Sequence, residues 1–399
     1  MPPNVRKTPF PPLYAITDDR SSRTSAEQVK HLGNLGFPLV QLRCKHISTE
    51  RFQDQLKDTL EAAQASGHWP RVCLNDRIDL LNTLPAGLPL WGVHLGQEDT
   101  PVRVARQSLS ADIRLGLSSH VEAHWRHIPE GVHHMGVGPI YQPRSKPSSW
   151  APLGWDGFRS ALQIIGPRPE PLIAIGGLHR EDVTLAYQAG ADSVAMITEL
   201  SSSAHPEDLL WEAQQERWRV RPLDLKQGVI LIGHSGSGKT SLGHDLARRL
   251  GLPFIDLDQM IENKLQRSIP EIFSSQGEDL FRQLEYEVGL EVLRTGQVIA
   301  VGGGAWHQPR LRRHLESLGT PVVVLAEPPR RCWTRLQGAP PRPLARSESE
   351  FLARCAQRAI DFYDLDEIYS CGRSTQELAT LLTHNPLAPG SSPGGLPRT

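Results

Sequence analysis

The chain has little cysteine, no long apolar run and no excess of either charge. Its five cysteines (Cys44, Cys73, Cys332, Cys355 and Cys371) are few, odd in number and without CxxC spacing. That excludes a disulfide scaffold or a zinc ribbon and fits a reducing cytoplasm. No apolar stretch approaches the ~18 residues of a membrane span, so a membrane is not an expected partner. The opening residues carry Arg6, Lys7 and prolines but no apolar segment, which is not the pattern of a signal peptide. Lys and Arg number 43 against 44 Asp and Glu, and the balance is even along the chain: 23 against 25 over residues 1–225, and 20 against 19 over the rest. Neither part is a polycation, so nucleic acid is not an expected partner either. With 39% hydrophobic and 22% charged residues this is an ordinary globular composition, and 399 residues exceed one compact domain.

Breaker density divides the chain. The arm with Pro2, Pro3, Pro9, Pro11 and Pro12 reads as mobile, and residues 384–399, rich in Pro, Gly and Ser, read as a disordered tail. Between them, residues 219–228 separate a polar, Trp-containing helical stretch from a sharp new apolar strand. The reading is therefore a first domain over 1–225, a second over 226–383, and the tail.

Short β-type runs recur in the first part at residues 13–17, 39–43, 72–75, 92–95, 113–118, 133–138, 172–176 and 193–197, each followed by helical spacing. Eight alternations predict a closed (β/α)8 TIM barrel, with a doubly wound open sheet as the competitor. In a barrel, chemistry collects at the C-terminal strand ends. Those ends are polar here: Gln41, Arg43 and Lys45; Asn75 and Asp76; His94 to Asp99; Ser118; Gly138 to Tyr141; Gly176 and Gly177; Met196 to Thr198. Arg43 and Lys45 suit an anionic oxygen cluster, and Asp76 with Asp99 suits a hard cation such as Mg²⁺. Adjacent strand residues face opposite sides, so of His133 and His134 one fills the barrel and the other faces a helix.

The segments LYAITD, QLRxK, ND, GVHLGQED, GPIY, AIGG and GADSVAMI resemble the thiamine phosphate synthase/TenI family over residues 10–220. The resemblance implies condensation of a hydroxymethylpyrimidine diphosphate with a thiazole phosphate, through loss of pyrophosphate. It would assign Gln41, Arg43, Lys45, Asn75, Ser118 and Lys146 to the pyrimidine diphosphate. Ser145, Gly177, Ile197 and Thr198 would go to the thiazole phosphate, and Asp76 and Asp99 to Mg²⁺. Two positions depart from the pattern: Cys44 stands where the family has an acid, and Pro143 replaces a hydroxyl donor and lacks an amide proton. A thiazole tautomerase-like barrel, or one that only binds, is the alternative they raise.

The second part opens on an apolar strand, residues 228–232, that runs into Gly233-His-Ser-Gly236-Ser237-Gly238-Lys239-Thr240 and then a helical stretch from Ser241. This is GxxxxGK[ST] in the required strand-to-helix context: amides wrap phosphates, Lys239 neutralises them and Thr240 ligates Mg²⁺. Asp256 and Asp258 read as the end of a second strand, their carboxylates on one side at i, i+2. Asp256 would serve the metal, and Asp258 would accept or orient a hydroxyl proton. A long helix opens at Gly277 and carries Arg282 one turn before Glu285, so Glu285 would steady the guanidinium. A buried strand at 298–301 ends in Gly302, Gly303 and Gly304, a bare backbone that a small ligand can approach closely. Arg342 lies in a breaker-rich loop that reads as a mobile cover, and Arg358 lies on the helix after it.

FIDLD, FRxxE, GGG and RPL resemble shikimate kinase over residues 226–383. The resemblance implies a five-stranded parallel sheet in a three-layer α/β/α P-loop kinase fold, with ATP as co-substrate. Gly236, Ser237, Gly238, Lys239, Thr240, Ser241 and Arg342 would bind ATP. Asp258, Arg282, Gly303, Gly304 and Arg358 would bind shikimate, and Asp256 and Thr240 would hold Mg²⁺. Catalysis would fall to Asp258, Lys239 and Arg342. Gluconate-type kinases share the phosphate loop and are the alternative. An arginine supplying transition-state charge is worth ~10³-fold or more. Arg342→Ala is therefore expected to lower turnover far more than substrate affinity in a steady-state ATP assay. The combined expectation is a cytoplasmic enzyme with two activities on small molecules.

Overall fold

The computed structural model describes residues 8–44, 47–65, 71–83, 90–143, 149–337, 347–362 and 365–384. The expected mobile arm up to residue 7 and the tail from 385 lie outside them, as do Lys45, Ser145, Lys146 and Arg342.

Eight parallel strands close into a barrel in chain order: β1 (Leu13–Ile16), β2 (Leu39–Leu42), β3 (Arg71–Asn75), β4 (Leu90–Leu95), β5 (Arg114–Ser119), β6 (His134–Val137), β7 (Leu172–Ala174) and β8 (Ser193–Met196). Closure is direct, with Leu13 of β1 opposite Val194 of β8. Each strand is buried on both faces, so it reads as an apolar run rather than an alternation. One set, including Val40, Leu42, Val72 and Leu74, packs outward against the helices. The other, with Tyr14, Ile16, Leu39, Cys73 and Ile173, fills the interior beside Phe10.

The second sheet is parallel, in the order β10-β11-β9-β12-β13, from β9 (Gly228–Ile232), β10 (Phe254–Asp256), β11 (Gln297–Ala300), β12 (Val322–Ala326) and β13 (Asp366–Tyr369). Strand alternation on β9 feeds two apolar layers. Val229 and Leu231 meet the helices Lys239–Leu250 and Thr375–Thr383, while Ile230 and Ile232 meet Leu257–Leu265, Ile269–Val292 and Pro309–Ser317. The result is three layers, with the strand order reversing beside β9, where open parallel sheets bind ligands. Helix starts are set by reciprocal side-chain capping, as where Ser268 and Glu271 satisfy each other's amides.

The two parts share a buried contact. The last barrel helix, Pro206–Val220, lies along the open edge of β13. Gln214 Nε2 donates to the Tyr369 carbonyl at 2.9 Å, and its Oε1 accepts the Tyr369 amide at 2.8 Å. One side chain thereby satisfies a strand edge that would otherwise need water or another strand. Beside it Arg71 at the start of β3 meets Glu367 at 2.6 Å, both side chains under 10% exposed, and the Tyr369 hydroxyl also donates to Glu367. Arg373 pairs with Asp208 at 2.9 Å and lies over the Trp211 ring. Removing one partner of a buried pair strands the other charge, at a cost of about 3–5 kcal/mol. Arg71→Ala is expected to lower the urea midpoint of the full chain accordingly, and Arg71→Met with Glu367→Leu to recover most of it.

Candidate active sites

In the second part the phosphate loop joins the C-terminal end of β9 to the helix Lys239–Leu250. Lys239 Nζ donates to the carbonyls of Gly233 and His234 at 3.0 and 2.8 Å, so the lysine lies curled over its own loop. Ser237 Oγ and His234 Nδ1 are buried polar atoms without a partner among the described residues. Burial and the nearby Lys239 push the His234 imidazole down to about 3, so it is neutral at working pH. Thr240 Oγ1 donates to Asp256 Oδ2 at 2.7 Å. A hydroxyl and a carboxylate together at the mouth of a phosphate loop are hard oxygen donors, and they fit Mg²⁺ with phosphate and water completing its shell.

The two carboxylates do not share a strand face, contrary to the spacing argument. β10 ends at Asp256, which caps the helix Leu257–Leu265 by accepting the Asp258 amide at 3.1 Å. Asp258 sits in the first helical turn, and the turn rather than strand alternation sets its direction. The run Ile269–Val292 likewise begins before Gly277, where it kinks (φ 80°), and Arg282 lies beyond the kink.

Asp258 stands between two cavities. A cleft of about 1320 Å³ is lined by Gly236, Gly238 to Ser241 and Asp256. A second cavity of about 670 Å³ is lined by Arg282, Glu285, Arg354, Arg358, Phe273 and Phe281. Both include Ser235, Asp258, Gly302 and Gly303. The triple glycine explains how the groups converge. A Cβ on Gly302 would come within 2.7 Å of Asp258 Oδ1, one on Gly303 within 3.3 Å of Arg358 Nη1, and one on Gly304 within 2.3 Å of Arg282 Nη2. Side chains here would displace all three polar groups.

The electrostatics point to an anion. Arg282 pairs with Glu285 at 2.8 Å and with Glu278 at 3.0 Å. Arg358 makes no ion pair among the described residues, and burial together with Arg282 and Arg354 pushes it down to about 10. Arg354, which the sequence reading passed over, lies one turn before Arg358 and lines the same cavity. Two like charges at i, i+4 cost stability unless an anion lies between them, and that spacing was the available signal.

Glu285 is fully buried, and burial pushes its carboxyl up to about 7 although Arg282 pulls the other way. A carboxyl whose folded pKa lies above its unfolded value holds its proton more tightly when folded. Its contribution is full below about 4.5 and is lost as pH rises towards 7. At 1.36 kcal/mol per unit the loss is about 3 kcal/mol. Urea midpoints measured from pH 4.5 to 7.5 are expected to decline less in Glu285→Gln than in the unmodified chain.

In the barrel, the rim brings together the ends of β1 to β5. Gln41 Nε2 donates to Asn75 Oδ1 at 2.9 Å. Arg43 is buried and pairs with Asp19 at 3.0 Å, a partner signalled only by the doubled acid of Ile-Thr-Asp-Asp19. Asp76 has φ 67°, a left-handed conformation that side chains rarely adopt and that concentrates at functional sites. Asp99 Oδ2 accepts the Gly96 amide at 2.6 Å in the loop after β4. Asp76 and Asp99 lie on loops that follow the neighbouring strands β3 and β4, and their carboxylates are the hard oxygen donors that Mg²⁺ takes. Ser118 Oγ meets His94 Nε2 at 3.0 Å. After β7, a Cβ on Gly177 would lie 2.8 Å from the Tyr141 side chain, and after β8 Thr198, next to Ile197, accepts a hydrogen bond from Arg20.

Cys44 points away from the rim. Its Sγ lies 2.8 Å from Ser25 Oγ and also contacts Gln55, on the helices Ser25–Leu35 and Thr49–Ala65. Burial raises its thiol pKa, so it stays protonated. The departure at 44 therefore falls on the outward face.

Two family models match the chain: thiamine monophosphate synthase over residues 13–200 and shikimate kinase over residues 235–381. A thiamine-phosphate synthase of Chloroflexus aurantiacus is 31% identical over 47% of this chain and 83% of its own length. A shikimate kinase of Rhizobium leguminosarum bv. trifolii is 38% identical over 36% of this chain and 73% of its own. Among solved structures, a shikimate kinase from Acinetobacter baumannii in complex with shikimate is 32% identical, covering 38% of this chain and 88% of that one, with a TM-score of 0.36. The chain therefore belongs to two families at once, the thiamine monophosphate synthases through its barrel and the shikimate kinases through its P-loop part.

Proposed function

We propose that residues 226–383 transfer the γ-phosphoryl group of ATP to the 3-hydroxyl of shikimate, and that residues 1–225 join hydroxymethylpyrimidine diphosphate to thiazole phosphate, releasing pyrophosphate. For the kinase the reading is carried by the shared position of Asp258, between a phosphate-loop cleft and an arginine-lined cavity. The amides of 236–241 take the phosphates, and Lys239 leaves its two carbonyls for the outer phosphate oxygens. Arg358 and Arg282 hold the acid's carboxylate, with Gly303 and Gly304 leaving room beside it. Asp258 orients the hydroxyl and accepts its proton as the oxygen attacks phosphorus in line. Mg²⁺, held by Thr240 and Asp256, would supply neutralising charge on the phosphates. Arg342 keeps the role the family resemblance gives it.

Arg358, Arg354 and Arg282 would suit the carboxylate of shikimate or of gluconate alike; the apolar Phe273–Phe281 wall beside them favours an acceptor with a carbon ring, and so shikimate over a gluconate-type open chain. ADP release that depends on shikimate, and is not supported by gluconate, tests this. Equal rates with both would reject it.

For the barrel, leaving-group charge is the problem to solve, and no protein nucleophile is needed. Gln41, Asn75 and Ser118 donate to the diphosphate, joined by Arg43, Lys45 and Lys146. Asp76 and Asp99 would hold Mg²⁺, whose contribution is charge neutralisation on the leaving group. Ser145, Gly177, Ile197 and Thr198 bind the thiazole phosphate opposite. The outward direction of Cys44 supports an active synthase over a tautomerase-like or purely binding barrel, because the rim is unaltered by that departure. Both reactions take small, charged, water-soluble substrates. No helix among the described residues is long and apolar enough to cross a membrane, in keeping with cytoplasmic work.

A further inference from the structure

The barrel interior holds a row of polar groups that the chemistry above does not use. His94 on β4, Gly116 on β5 and His134 on β6 stand at one level across three neighbouring strands. Both imidazoles point inward and are buried. They meet across β5 because position 116 has no side chain: a Cβ there would lie 2.1 Å from His134 Nε2 and 2.3 Å from His94 Nδ1. The two nitrogens are 3.2 Å apart. Two residues further along β5, on the same face and nearer the rim, Ser118 Oγ lies 3.0 Å from His94 Nε2.

The direction of these hydrogen bonds follows from what surrounds His134. Its ring is enclosed by Phe10, Tyr14 and Trp91, with centroids 5.1–5.8 Å away, and its Nδ1 has no hydrogen-bond partner among the described residues. Burial, then His94, push its pKa well below the usual range, so the ring is neutral and carries one proton. On Nδ1 that proton would be a buried donor without an acceptor. On Nε2 it is used on His94, and only a lone pair is left over. Orphaned N–H groups are rarer in proteins than under-satisfied acceptors, so Nε2 carries it. His94 Nδ1 is then an acceptor, its own proton sits on Nε2, and that proton goes to Ser118 Oγ. With its lone pair taken from below, the Ser118 hydroxyl points its hydrogen to the rim.

We propose that His134 and His94 are positioning residues that fix Ser118 as a donor towards an oxygen of the diphosphate at the barrel mouth, with Gly116 as the gap that lets them meet. The identity of the anion rests on the synthase reading; the polarity of the row does not.

Two measurements on the full chain test it. With ¹⁵N-histidine labelling, two-bond ¹H–¹⁵N correlations report each ring's tautomer, and spectra of His94→Gln and His134→Phe assign the two signals. Both rings are expected to carry hydrogen on Nε2; an Nδ1–H form of His94 overturns the proposal. In a thiamine phosphate assay, Ser118→Ala and His94→Ala are each expected to lower kcat about tenfold, the scale of one hydrogen bond. The double variant is expected to match Ser118→Ala within twofold, and His94→Gln, which retains a donor, to recover part of the loss. Losses that multiply in the double variant would show His94 acting independently of Ser118 and reject the relay. If the unmodified chain forms no thiamine phosphate, the synthase reading falls, and the tautomers alone decide the proposal.

Discussion

Asp258→Asn is expected to lower kcat for shikimate phosphorylation about 10²–10⁴-fold, the range of a positioned acid–base group, with only small changes in either KM. The side chain keeps its shape and its place in the first turn of the helix Leu257–Leu265. What is lost is the capacity to take a proton from the attacking hydroxyl. Asp256 sits two residues earlier but bonds Thr240 at the phosphate side. Asp256→Asn is therefore expected to act through the Mg²⁺ requirement, with activity partly restored at high Mg²⁺. Steady-state kinetics with both substrates varied separates the two carboxylates. A drop confined to KM in Asp258→Asn would remove it from the chemistry.

Asp76→Ala is expected to abolish thiamine phosphate formation by the full chain, a loss of at least about 10²-fold, while shikimate phosphorylation stays unchanged. Asp76 is held in left-handed backbone at the end of β3, a conformation retained against its local cost. Alanine tolerates that conformation less well, so Asp76→Asn is the companion variant: it keeps the backbone preference and removes the charge. Similar losses in both variants would identify the charge as the functional element. Unimpaired synthesis in Asp76→Asn would remove Asp76 from the metal site. Because the parts share a buried contact through Gln214, Arg71 and Glu367, these substitutions belong in the intact chain rather than in fragments.

The barrel was legible because each strand is a short apolar run ending in polar residues, a pattern that local composition reveals. Some strand ends came out one or two residues short of the reading, as at Ile16 and Ala174, while β3 and β4 end where expected and β5 runs one residue further, to Ser119. The placement of Asp258 was misread because Phe-Ile-Asp-Leu-Asp alternates like a strand, whereas Asp256 caps a helix and bends the chain there. β12 and β13 were implied only by the kinase resemblance, since their registers depend on partners elsewhere in the chain.

The contact between the two parts left no local trace. Arg71 and Glu367 are ordinary charges in their own segments, 296 residues apart. Cys44 shows the converse: a position that looked decisive in sequence lies on the outward face, as strand alternation from Gln41 and Arg43 would place it. His94 and His134 were each visible, but their meeting depends on Gly116, whose missing side chain gains meaning only once β5 lies between them.

Mass spectrometry of products formed by the intact chain tests the whole reading most directly, with ATP and shikimate in one vessel and the pyrimidine diphosphate and thiazole phosphate in another. Shikimate 3-phosphate with ADP in the first, and thiamine phosphate with pyrophosphate in the second, are expected. Unchanged shikimate while ATP is consumed, or unreacted thiamine precursors in the presence of Mg²⁺, would contradict it.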